Sequence, residues 1–231
     1  MRRIFALLAV GGLIGAVAWT GSGAAAAAAG SPTPAVARVG RGAAWNTDLT
    51  VLYNSIGSAG VYSVLSQDFT DAGFDIYDSQ LADDFAVPFD LTKGWKVHGI
   101  RAVGIFFNGS GPCDYETLTI YQDESGLPGA VVASRAGRGI LTAGGTYTLY
   151  GSKPVLLTKG QVYWASMVCT MEYAAGGEWG WSTRTVQNMN TAKWQNPGGG
   201  FGICPTWADM DTCVGISGEP DLQFALVGAA I

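Results

Sequence analysis

The strongest constraint on the fold of this chain is a missing pattern. Beyond the N-terminal segment, no stretch places apolar residues at helical spacing over three turns. Instead, runs of four to ten residues recur, several alternating apolar and polar, divided by Gly- and Pro-rich breaks. Glycine reaches 34 of 231 residues. Chains of this kind bury their apolar sides by pairing strands and stacking sheets. The prediction is an all-β fold, an antiparallel β-sandwich of jelly-roll type, with residues 48–231 as one domain.

Individual runs give the detail. Leu49, Val51 and Tyr53 alternate with polar partners in a first strand. The stretch Val61 to Tyr77, with Asp68, Asp71 and Asp75, reads as a long irregular excursion. Leu81, Asp83, Phe85 and Val87 share one strand face, and Pro88 ends the run. Trp95, Val97, Gly99, Arg101 and Val103 share another. In Glu116 to Gln122, Leu118 and Ile120 point inward and Thr117, Thr119 and Tyr121 outward. Gln161 to Thr170 is the most strand-like run, and Asp221 to Val227 closes the chain.

The N-terminus reads as an address. Arg2 and Arg3 precede an apolar run from Ile4 to Ala18, and the alanines 24–29 offer A-x-A cleavage sites. Residues 1–29 are therefore expected to be a signal peptide. Arg2-Arg3-Ile4-Phe5 also partly matches a twin-arginine signal, so Sec and twin-arginine export both stay open. Thr20 to Gly23 interrupt the run before it reaches a spanning length, so no membrane association is expected after cleavage. Residues 30–47 are expected to be a flexible mature N-terminus.

Losing Arg2 and Arg3 makes the formal charge of −5 more negative by two, and no Lys/Arg cluster remains. This argues against nucleic acid or anionic lipid as partner. Four cysteines behind a signal peptide read as two disulfides. Cys204 and Cys213 lie nine apart across a turning segment and are paired, which leaves Cys113 with Cys169. No close set of thiolates and imidazoles has zinc spacing.

Catalytic constellations are sparse. The single histidine, His98, sits mid-strand, away from any nucleophile elbow. Glycoside hydrolysis needs two carboxylates across a cleft, for which Asp83, Asp84, Glu116, Glu172 and Glu178 are the candidates. No cofactor is expected. Structural calcium is left open by Asp71, Asp75 and Asp78, by Asp83-Asp84 and by Asp209-x-Asp211, although no EF-hand spacing occurs. Asn108-Gly109-Ser110 has the form of a glycosylation sequon and reads as a turn.

The richest stretch is Glu178 to Cys213, with Trp179, Trp181, Trp194, Trp207 and two cysteines. Trp179, Trp181 and Thr183 share a strand face. Facing outward they would form a stacking platform for sugar rings; facing inward they would be core. The remainder is a long Gly/Trp loop, braced by the 204–213 bridge and expected to cover one end of the sandwich. Candidate ligand-binding residues are Trp181, Trp194, Trp207 and Tyr173 for stacking, with Gln195 and Asn196 as orienting hydrogen-bond groups.

Several ordered motifs are similar to a module of secreted bacterial proteins. They are Ser66 to Phe69 (SQDF), Leu81 to Pro88 (LADDFAVP), Ser125 to Gly129 (SGLPG), Tyr163 to Ser166 (YWAS), Trp179 to Val186 (WGWSTRTV) and Trp194 to Gly202 (WQNPGGGFG). A two-cysteine loop and a closing PDLQFAL strand follow. The resemblance covers roughly Asp48 to Gly228. It implies a β-sandwich module without an assigned activity, and it carries no active site across. The expected function is a secreted, non-catalytic binding or structural module at or outside the bacterial cell surface. Its expected partner is an extracellular glycan or a surface protein. The alternative is a secreted carboxylate-dependent hydrolase of polysaccharide.

Overall fold

A computed structural model describes residues 49–231. The expected signal peptide (1–29) and the mature N-terminus (30–47) lie outside the described residues. The chain opens with β1 (Thr50–Asn54), β2 (Ala59–Leu65) and β3 (Gln67–Phe69), then a 3-10 turn at Asp75–Tyr77. Next come β4 (Gln80–Ala86), β5 (Gly94–Ala102), β6 (Gly104–Phe107), β7 (Tyr115–Asp123) and β8 (Pro128–Gly137). After these run β9 (Ile140–Thr142), β10 (Thr146–Thr158), β11 (Val162–Met171), a short helix α1 (Tyr173–Gly176) and β12 (Glu178–Arg184). The last elements are β13 (Lys193–Gln195), β14 (Ala208–Asp209), α2 (Met210–Val214), β15 (Asp221–Leu222) and β16 (Phe224–Ala230).

The fold is all-β and mostly antiparallel, as the alternation predicts. The strands fall into three sheets. The first has the order β1-β16-β5-β10-β9, and the second β14-β13-β4-β11-β7-β8 with β3 beside β11. The third is β15-β12-β2 with β6 also on β12. The β3–β11 pair is parallel. One core joins the three sheets. Phe85 of β4 stacks near Trp95 of β5 at 6.1 Å, and Trp181 of β12 meets Phe224 of β16 edge-on at 5.8 Å. Tyr147 of β10 meets Trp179 of β12 at 6.2 Å. Both disulfides form as paired from the sequence, Cys113–Cys169 and Cys204–Cys213.

Two strand readings need correction. On β5, Val97 pairs with Gly228 and Val155, while Gly99 pairs with Val227 and Tyr150. His98 is the extra residue of a bulge, which moves every later side chain to the opposite face. Ile100 and Ala102 therefore point inward and Arg101 outward, the reverse of strict alternation. Gly99 suits this place, because a Cβ there would lie 2.5 Å from the Leu149 carbonyl oxygen. The expected excursion 61–77 contains most of β2 and all of β3. Strand β2 forms by pairing with β12, where Ser63 and Ser182 hydroxyls meet at 3.0 Å, and local alternation does not display that partnership.

Candidate functional site: a polar groove on the outer face of the second sheet

The tryptophan-rich stretch divides in two. In its first half, Trp179 and Trp181 on β12 are fully buried. Their indole N–H groups donate to the carbonyls of Gly145 (2.8 Å) and Gln223 (2.9 Å). Gly104 makes room, since a Cβ there would lie 2.4 Å from the Trp179 ring. Trp194 on β13 is buried as well, with its N–H on the Leu65 carbonyl at 3.1 Å. A buried indole whose only donor is engaged offers a sugar neither face nor rim. The outward platform of Trp179 and Trp181 is thus replaced by a core, and Trp181 and Trp194 leave the set of stacking residues. Trp207 is half-buried, edge-on to Tyr121 at 5.8 Å.

Asn196 is fully buried and acts as a latch. Its Nδ2 donates to the carbonyls of Ile76 and Asp78, both at 2.8 Å, and its Oδ1 accepts from Phe201 N at 3.0 Å. Every polar atom of the side chain is engaged, so its expected role as a ligand-orienting amide becomes a structural one. The latch fixes the Pro197 to Gly202 loop against the 3-10 turn. At Gly198 and Gly200 a Cβ would fall 2.6 Å from backbone atoms of Ile76. The loop and the turn therefore meet main chain to main chain. A row of rings follows the same seam. Tyr173 stacks on Phe74 at 4.7 Å, Phe74 reaches Tyr77 at 6.1 Å, Tyr77 reaches Phe201 at 5.2 Å, and Phe201 reaches Trp194 at 5.8 Å. Tyr173 is thus half-buried at one end of this row, stacked on Phe74.

The latched loop and turn form the wall of a groove of about 340 Å³. Its floor is the outward face of β7 and β11, with Thr117, Thr119, Val168 and Thr170. Three carboxylates line it, Asp68, Asp75 and Asp78. Thr170 donates to Asp68 Oδ2 at 3.2 Å, and Asp78 Oδ1 accepts from Phe69 N at 2.8 Å. The Asp78 carboxyl is pushed up to about 6 by burial, with Asp68 and Asp75 adding repulsion. Gln80 lines the groove and accepts from Gln195 Nε2 at 2.9 Å, which brings Gln195 to its edge. Along the same face of β7, Tyr115 stands exposed beyond one end of the threonine row and Tyr121 with Trp207 beyond the other. Tyr115 and Tyr121 lie six residues apart, about 20 Å of strand.

The carboxylates expected to be catalytic lie elsewhere. Glu116 is buried and accepts from Gly139 N, with its carboxyl pushed up to about 7 by burial. Asp83 and Asp84 are buried on β4, which takes them out of any cleft. Asp83 accepts from the backbone N–H groups of Leu222 and Asp84, both at 2.8 Å. Asp84 Oδ2 accepts from Asn190 Nδ2 at 2.7 Å. Asp221, opposite Arg184 in the β12–β15 ladder, accepts from Asn188 N. Burial raises all three carboxyls. Asp83 stands well above the usual range with Asp221 beside it, and Asp221 is pushed up to about 7. Glu172 is exposed, and Glu178 is half-buried with Asn108 Nδ2 donating to it. Glu178 borders a largely apolar cavity of only about 40 Å³ beside Trp194 and Phe201, far below the size of usual ligand pockets.

Among the described residues, no group of three or more His, Cys, Asp or Glu is placed to hold a metal ion. Of the calcium candidates, Asp71 and Asp78 hold the backbone N–H groups of Tyr173 and Phe69, and Asp209 holds Lys193. No described helix is long and apolar enough to cross a membrane. Compared with known proteins, the chain matches no family model, no curated protein and no solved structure. The groove-floor threonines escaped selection by sequence because hydroxyl residues on an outward face are common. Only the strand neighbours and the latched wall make them a concavity.

Proposed function

We propose that this chain is a secreted, non-catalytic module that acts at or outside the bacterial cell surface and binds an extended carbohydrate. The observation that supports this most is the groove itself. Hydroxyl, amide and carboxylate groups line it and no cationic side chain does, and aromatic rings flank it on β7. Sugar hydroxyls pair with such groups, and ring C–H faces stack on Tyr and Trp. The two disulfides fit an oxidising, extracellular compartment.

Pull-down on insoluble polysaccharides together with a glycan array tests the reading. The expected result is retention on at least one glycan, abolished by Thr119→Arg, which fills the groove, and weakened by Trp207→Ala. Binding untouched by Thr119→Arg removes the groove as the site, and no retention of the wild type removes the carbohydrate.

A second reading, a polysaccharide hydrolase, has one specific observation in its favour. Asp68, Asp75 and Asp78 share the groove, and the Asp78 carboxyl, raised by burial, has the property of a general acid. Soluble product released from a bound glycan by the wild type but not by Asp78→Asn is what this reading requires.

A further inference from the structure

Of the five lysines among the described residues, Lys193 alone is buried. On β13 it stands directly opposite Asp209 of β14 on one side and Ala82 of β4 on the other. Its side chain is 8% exposed, and its Nζ contacts Asp209 Oδ1 while lying 5.7 Å above the Trp164 ring. An ammonium has three N–H donors, and Asp209 is its hydrogen-bond acceptor here. Buried donors left without partners are expensive, and a buried charge more so. Two residues along β4 from Ala82, on the same face, lies Asp84. Its Oδ1 is buried and without a partner, and Lys193 is one of the charges its carboxyl senses. Diagonal neighbours of this kind lie within reach of long side chains.

We propose that Lys193 and Asp209 condense to an intramolecular amide, with Asp84 as the proton relay. Proton transfer inside the ion pair gives a neutral amine and a neutral acid. The Lys193 Nζ lone pair then attacks Asp209 Cγ, forming the C–N bond. Asp84 takes a proton from the nitrogen and returns it to the leaving hydroxyl, the C–O bond breaks, and one water departs. No oxidant or co-reactant is needed. Asp209, 51% exposed, gives the water a path to solvent. The held geometry replaces an encounter between two molecules. The product replaces a buried charge by one amide N–H, with the unpartnered Asp84 Oδ1 on the same face.

Mass spectrometry of the purified chain, reduced, alkylated and unfolded, decides the matter. Lys193 is the last Lys or Arg in the sequence, so trypsin acting on a free lysine must release the peptide 194–231. The expected result is that this peptide is missing and that 185–231 stays whole, lighter by the mass of one water. Lys193→Met and Asp209→Ala each restore the full mass, and Asp84→Asn does so with Lys193 and Asp209 intact. Release of 194–231 at its unmodified mass from the wild type means an ion pair only and overturns the proposal. A water loss mapping to other residues does the same, and cross-linking that survives Asp84→Asn overturns the relay.

Discussion

Within the stretch Glu178 to Cys213, the buried tryptophans and the half-exposed Trp207 put the same residue type to opposite uses. In the first half, β12 carries Trp179 and Trp181 into the interior, with both N–H groups on backbone carbonyls. In the second, Trp194 on β13 is buried in the same way, with its N–H on the Leu65 carbonyl, and past the groove wall Trp207 sits half-exposed on Tyr121. Tryptophan density alone therefore says little about recognition. What separates core from surface is the strand pairing around each ring, and whether the indole N–H finds a partner inside.

Substitutions can break this contrast. The largest effect is expected for Trp181→Ala, a loss of about 3–5 kcal/mol in denaturant unfolding. An equal loss at Trp207→Ala would erase the distinction. Asn196→Ala comes next, because it leaves the Asp78 carbonyl and the Phe201 N–H without their partner and removes one of the two donors on the Ile76 carbonyl. A loss of about 2–3 kcal/mol is expected, with faster amide exchange at Gly200, whose N–H bonds Ile76 at 2.8 Å.

A pH series sharpens the contrast from the core side. Asp83, Asp84 and Asp221 have folded-state values above the unfolded ~4. The native state then holds protons that the unfolded chain releases, so the stability these carboxyls contribute is fully present below about pH 4 and is lost as pH rises through about 7, where Asp221 titrates. Melting temperature against pH should fall across that window, and Asp221→Asn should flatten the slope. The smallest stability effect is expected for Trp207→Ala, below about 1 kcal/mol by the same denaturant measurement, as for a partly exposed ring with one aromatic neighbour.

Much of the architecture was legible in sequence. Alternation in Leu81 to Val87 and in Glu116 to Gln122 assigns the inward side chains correctly, and cysteine spacing with compartment assigns both bridges. Two kinds of information were not. The His98 bulge inverts the second half of β5; strict alternation carried through Gly99 misses it, although the polar positions change phase there, from Lys96 and His98 to Arg101. The groove depends on β7, β11 and the 3-10 turn coming together from distant parts of the chain, and on Asn196 using its amide internally. The motif WQNPGGGFG signals an unusual backbone without saying what that backbone holds.

The approach of Gly198 and Gly200 to Ile76 has a consequence for how such a groove can diversify. One wall is polypeptide backbone against polypeptide backbone, with no room for a side chain at the seam. Variation there cannot reshape a ligand's surroundings; it can only break the joint. In the proposed glycan site, selectivity would drift through the floor, at Thr117, Thr119 and Thr170, and along the carboxylate rim. The glycines would then stay fixed while specificity changes around them, making the loop a hinge post for the site rather than its reader.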